Sequence, residues 1–175
     1  MQFTKDSFYI ALRERMMAIN PQRRVAVDGV SRVAVFASEN ELSSVRELQP
    51  DSFYLRWGPS RTVPRHTGGG RRLRALDCVI TYGTRGTCES AVDRGRMMGA
   101  LDNELISICH PGHTRKRDFT QSPSVDLGSD VFWSEPELGE LENTGGGEAI
   151  EGGGGATLWR SARLTLYFFA EVDFS

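Results

Sequence analysis

The sequence predicts an α+β fold: one domain with a mostly antiparallel sheet packed by two main helices, carrying long loops and a glycine-rich insertion. Three observations predict it. In residues 73–82, Leu76, Cys78, Ile80 and Tyr82 recur at every second position with Asp77 and Thr81 between them, the period of a half-buried strand. After a break at Gly83 and Gly86, Met98, Leu101, Leu105 and Ile108 recur at intervals of three and four, which puts them on one helical face. In the closing segment Ala162, Leu164, Leu166 and Phe168 fall on one strand face, and Arg163, Thr165, Tyr167 and Phe169 on the other.

Taken in order, a first helix is expected over about 6–20, with Tyr9, Leu12, Met16 and Ile19 at helical spacing, Thr4 or Asp6 as cap, and Asn20-Pro21 as stop. Met16-Met17 and Met97-Met98 read as adaptable core filling. Asp28-Gly29, between the β-branched runs at 25–30 and 32–36, is a two-residue hairpin signal, because a type I′ turn needs positive φ at both central residues. Residues 39–50 are polar and read as a loop or short helical turn. Phe53, Leu55 and Trp57 alternate with Tyr54 and Arg56, predicting a strand. With Pro59, Pro64 and Gly68-Gly69-Gly70, residues 58–72 read as a long flexible loop. Ser90 and Asp93 have capping-box spacing for a helix over 90–109, which Pro111 prevents from continuing. Short strands are expected at 124–127 and 130–133. Residues 143–156, in which Gly145-Gly146-Gly147 and the four glycines at 152–155 recur, are expected to be flexible. A final strand runs from 158 to 172.

Size and composition set bounds. A chain of 175 residues can bury one proper core, and 39% apolar with 19 glycines suits a small core with long loops. No apolar run approaches the ~20 residues needed to span a bilayer, so no membrane partner is expected. Residues 1–20 are charged and lack a signal-peptide core, and three unclustered cysteines (Cys78, Cys88, Cys109) point to a reduced, cytosolic site of synthesis.

The net charge of -2 conceals segregation. Nineteen of 21 cationic residues are arginine. Residues 52–76 hold six of them (Arg56, Arg61, Arg65, Arg71, Arg72, Arg74) and no acid, whereas residues 118–159 hold nine acids and no Lys or Arg. Three readings stand. The two segments can neutralise one another within a subunit. Alternatively, the basic segment of one copy can meet the acidic segment of the next, a head-to-tail pairing that closes into rings. Or the arginines can bind DNA, against which the negative total charge weighs.

Motifs for chemistry are sparse. Cys109, His110 and His113 bring three metal-ligand types together, but a closed zinc site wants four, and no second pair matches. Thr67-Gly68-Gly69-Gly70-Arg71 lacks the Lys-Ser/Thr ending and following helix of a phosphate loop. Ser90 has no nucleophile elbow around it, and Asp93 and Asp102 read as residues of a solvated helix face. No metal, cofactor or catalytic site is expected.

The ordered elements resemble the tail terminator family of long-tailed bacteriophages and phage-derived contractile injection systems. The likeness lies in the helix at 6–20, the Asp28-Gly29 turn, Pro50-Asp51-Ser52-Phe53-Tyr54-Leu55, the 73–82 strand leading into the 90–109 helix, and Leu158-Trp159-Arg160-Ser161-Ala162-Arg163-Leu164-Thr165-Leu166. The stretches 58–72 and 110–156 are longer than in compact members. Head–tail connectors and tube proteins share related folds. The resemblance implies a non-enzymatic structural protein, made in the bacterial cytoplasm and resident in a virion tail or tail-like particle. It would form a ring, commonly a hexamer, on the tail tube, and meet tube, sheath or neck proteins; it would meet DNA only in a tail that conducts it. Arg56, Arg61, Arg65, Arg71, Arg72 and Arg74 facing Glu135, Glu137, Glu140 and Glu142 of the next copy would then form the seam.

Overall fold

The strand predicted over 73–82 is the spine of the molecule. The computed structural model describes residues 1–27, 29–38, 48–68, 71–86, 91–143 and 157–170. Its elements are α1 (Gln2–Ile19), β1 (Arg24–Val27), β2 (Val30–Val33), β3 (Val35–Ala37), β4 (Phe53–Gly68), β5 (Arg71–Thr84), α2 (Ala91–Ile108), β6 (Gly112–Asp118), β7 (Val125–Trp133), β8 (Glu137–Asn143) and β9 (Leu158–Phe169). The seven-stranded sheet runs β3-β4-β5-β9-β7-β6, with β8 also paired to β9. All its pairs are antiparallel except β3 with β4. The fold is α+β, as the sequence predicts.

Alternation decides the layers. Leu76, Cys78, Ile80 and Tyr82 of β5 pair in register with Leu166, Leu164, Ala162 and Arg160 of β9. All but Arg160 are buried in one core with Phe8, Leu12 and Met16 of α1 and Met98, Leu101, Leu105 and Ile108 of α2. On the opposite face, Phe36 of β3 stacks on Tyr54 of β4 at 5.1 Å and Val25 of β1 packs against them. The β1–β2 turn is the expected two-residue hairpin: Val27 pairs with Val30, and Gly29 has φ +78°. Asp28 lies outside the described residues.

Of the loop expected over 58–72, residues 58–68 and 71–72 are instead strand, and 69–70 lie outside the described residues. β4 and β5 pair as far as Gly68 opposite Arg71. The prolines mislead because the register shifts between Trp57 and Ser60, and again between Thr62 and Thr67. Pro59 and Pro64, each lacking an N–H, fall inside those two irregular stretches. Two further strands, β6 and β8, were not expected, and the two short strands near 124–133 are the single strand β7. Their side chains are largely exposed, so no apolar alternation marks them. α1 begins at Gln2, with Thr4 buried inside it instead of capping it. Ile19 is 48% and Met17 51% exposed, because α1 outruns the surface on which Met16 is buried. Ser90, the 39–47 stretch, most of the glycine-rich 143–156 segment and the end of the predicted last strand lie outside the described residues.

Candidate interaction surface

The six arginines of the basic segment divide into two groups. Arg61 is engaged within its own sheet: its Nη1 donates to both carboxylate oxygens of Asp77, at 2.7 and 2.8 Å. Asp77 also accepts from the Thr165 hydroxyl at 3.1 Å, and the Arg61 guanidinium holds its carboxyl below the usual range. Arg74 is half-buried and donates from Nη2 to the Ser60 hydroxyl at 2.8 Å. Arg56, Arg71 and Arg72 are exposed, and Arg65 lies on β4.

Arg71 and Arg72 stand on a projecting arm. β9 accompanies β5 only from Leu73 onward, and β3 accompanies β4 only as far as Leu55. The Arg72 carbonyl still accepts from the Ala170 N–H at 3.1 Å; beyond it, Gly68 and Arg71 pair with one another and have no further described strand beside them. A two-stranded ribbon is marginally stable in water without further cover.

The acids lie elsewhere. Glu137, Glu140 and Glu142 are exposed on β8, and exposed Glu135 precedes it. β8 pairs with Leu158–Arg163 of β9, whereas the arm leaves the sheet beside Phe169. Six residues of strand separate Arg163 from Phe169, about 20 Å along the sheet. Arg71 and Arg72 thus lie several arginine side-chain lengths from Glu137–Glu142 of the same chain. Arg56 is nearest, in one cross-strand row with Val79, Arg163 and Glu137, three strand spacings or about 14 Å away. Among the described side chains no ion pair joins Arg56, Arg61, Arg71, Arg72 or Arg74 to the four glutamates.

Sequence reasoning missed two leucines. Leu138 and Leu141 of β8 are 37% and 51% exposed. They sit opposite Ala162 and Arg160, hence on the core-bearing face of the sheet, but at an edge beyond the helices, since α1 packs chiefly on β6 and α2 on β5. Their spacing in Glu137-Leu138-Gly139-Glu140-Leu141-Glu142 is neither two nor four, because an irregularity between Leu138 and Leu141 resets the register. A Cβ on Gly139 would come within 2.8 Å of the Ser161 carbonyl oxygen, so only glycine allows this close approach to β9.

Two of the residues weighed for chemistry, Cys109 and Asp102, are built into the packing. Cys109 is fully buried directly after α2, and burial pushes its thiol up to about 12. Among the described residues no three His, Cys, Asp or Glu side chains converge as a metal would require. Asp102, expected on a solvated face, is half-buried: it accepts from the Tyr82 hydroxyl at 2.7 Å and pairs with Arg160 Nη1 at 2.5 Å. An open groove of about 440 Å³ lies between α1 and β6, lined by Ser7, Glu14, Arg115, Arg117 and Phe119. No helix among the described residues is long and apolar enough to cross a membrane. No protein-family model and no curated protein matches the chain.

Proposed function

We propose that this chain is a structural protein of a bacteriophage tail or phage-derived injection particle, assembling head to tail into a ring that caps the tail tube and ends its growth. One observation carries the reading: opposite charges sit on an arm and on an edge strand of one sheet, too far apart to meet within a subunit. Surfaces that are complementary yet separated on one molecule pair between copies, and such heterologous contacts close into rings when the rotation allows. The order of helix, hairpin, paired long strands, helix and closing strand, which resembles tail terminators, supports the reading further. Its work is docking by shape and charge, with no bond made or broken. A head–tail connector of the same particle would use the same kind of contact at the neck.

A second reading, a nucleic-acid-binding module, is favoured by the arm itself. A two-stranded ribbon is narrow enough to enter the major groove, and Arg71 and Arg72 stand exposed on it. Native mass spectrometry and negative-stain imaging, alone and with tube protein added, test the first reading. Rings, with six subunits the expected number, support it. A species that stays monomeric in both conditions, while binding duplex DNA with a steep salt dependence, would overturn it in favour of the second.

A further inference from the structure

We infer that β8 is the receptor for the arm of a second copy of this chain. Leu138 and Leu141 supply the apolar part of the contact, and Glu135, Glu140 and Glu142 its charged part. The inference rests on the head-to-tail reading above and specifies the surface that it uses.

Four features of the described residues converge on β8. It is hydrogen-bonded only to β9, so its outer edge keeps backbone donors and acceptors unpaired by any described strand. Its two leucines are exposed although they project from the face that elsewhere buries the core. Exposed acids neighbour those leucines along the strand, with Glu142, opposite Trp159, turned to the other face, so a segment added at this edge meets apolar and charged side chains together. Glu137 already lies opposite Arg163 of its own chain, which leaves the other three glutamates for an outside cation.

The arm has the complementary character. It carries Arg71 and Arg72, with Val63 and Leu73 half-buried and Pro64 exposed beside them, and no acid in residues 52–76. Beyond the hydrogen bond from Ala170 N–H to the Arg72 carbonyl, β4 is the one described strand neighbour of Arg71 and Arg72, so contact with a second chain would add cover at the tip. Arginine can grip a carboxylate through two parallel N–H bonds, which fixes register as well as charge. Arg61 and Arg74 take no part, since Asp77 and Ser60 hold them within their own sheet.

The test is the association of four full-length forms: wild type, Arg71→Glu/Arg72→Glu, Glu140→Arg/Glu142→Arg, and Leu138→Ser/Leu141→Ser. Native mass spectrometry and light scattering across a concentration series report assembly, and far-ultraviolet circular dichroism with a melting curve reports the fold. Each charge-reversed form alone should associate at least about tenfold more weakly than wild type. An equimolar mixture of the two should recover assembly, because each reversed arm then meets a reversed β8 and each unreversed arm an unreversed one. The leucine variant should lose association with its fold intact, and no mixture should rescue it. Wild-type assembly with no effect of the substitutions, or folded charge variants that fail to assemble when mixed, would overturn the seam and leave the ring reading standing. A wild type that never associates, with or without tube protein, would overturn both.

Discussion

Arg15 shows how much one side chain can hold together. From α1 its Nη1 donates to the carbonyls of Ile108 at 3.0 Å and His110 at 2.8 Å, and its guanidinium lies 4.8 Å from the centre of the Trp133 ring. It thus supplies donors to the C-terminal end of α2, where backbone carbonyls lack helical partners, and adds a cation–π contact with β7. Trp133 Nε1 donates to the same His110 carbonyl at 3.0 Å, so one junction ties both helices to the sheet. Arg15→Ala is expected to lower stability by about 2–3 kcal/mol, read as a shifted urea midpoint with unchanged slope. Arg15→Lys should recover only part of that loss, because an ammonium has no planar fork to reach two carbonyls and a ring together.

The Tyr82–Asp102–Arg160 set does similar work between α2, β5 and β9. The carboxylate is shared by a phenol and a guanidinium, with only 17% of the Arg160 and 16% of the Asp102 side chain exposed. Removing one partner leaves a poorly solvated charge, so Asp102→Ala should cost about 3–5 kcal/mol in a denaturant titration. Titration should show in the alkaline limb. An unfolded chain gives up its cysteine protons near the ordinary value of 9.0, whereas folded Cys109 holds its proton to about 12. Unfolding therefore releases a proton above pH 9, and stability that is full below that pH falls as pH climbs toward 12. The slope expected is about 1.4 kcal/mol per pH unit for each such thiol. Burial shifts Cys78 in the same direction. A Cys109→Ala variant should flatten the fall between pH 9 and 11, and an unchanged slope would show that Cys109 does not drive it.

Among the elements, β4 and β8 each depend on an irregularity. In β4 the two prolines lie where pairing with β5 is interrupted, and they also blunt an edge that β3 covers for only three residues. Unbroken β-branched residues there would make a long, flat, exposed edge, so Pro59→Val/Pro64→Val is expected to raise nonspecific aggregation, measured by light scattering at constant fold. In β8 the irregularity brings Gly139 against the Ser161 carbonyl. Gly139→Val should push β8 off β9 without unfolding the core, because no core residue lies on β8. Faster hydrogen exchange confined to β8 and the adjoining part of β9 is the expected signature.

For the whole molecule, the physical question is how a chain of near-neutral total charge presents two strongly charged surfaces. The sheet keeps them apart: one at the end where β5 outruns β9, the other along the far edge where β8 joins β9's first half. Exposed charges are screened over about 8 Å at physiological salt and about 3 Å at 1 M. Raising salt from 0.15 to 1 M should therefore weaken association between copies while leaving the melting temperature of the monomer nearly unchanged. Assembly that strengthens with salt would show that the leucines dominate the contact and that the charges matter little.

Residue patterning alone determined the buried layer. Leu76, Cys78, Ile80 and Tyr82, the α2 face of Met98, Leu101, Leu105 and Ile108, and Ala162, Leu164, Leu166 and Phe168 are all core, because a side-chain period of two or 3.6 leaves an apolar stripe no choice of face. The Asp28-Gly29 hairpin was legible for the same local reason, a turn that only certain residues can make. Strand identity in 58–68, 112–118 and 137–143 was decided by tertiary structure. Those strands owe their form to backbone pairing with β5, β7 or β9 and carry no apolar alternation of their own. The surface shows the same division: the six arginines and four glutamates are visible in the chain as two charge blocks. Only three-dimensional register separates Arg61 and Arg74, held by Asp77 and Ser60, from Arg71 and Arg72, which face outward. It alone also brings Leu138 and Leu141 together at an uncovered edge, since which groups a strand leaves free depends on the strand lying beside it.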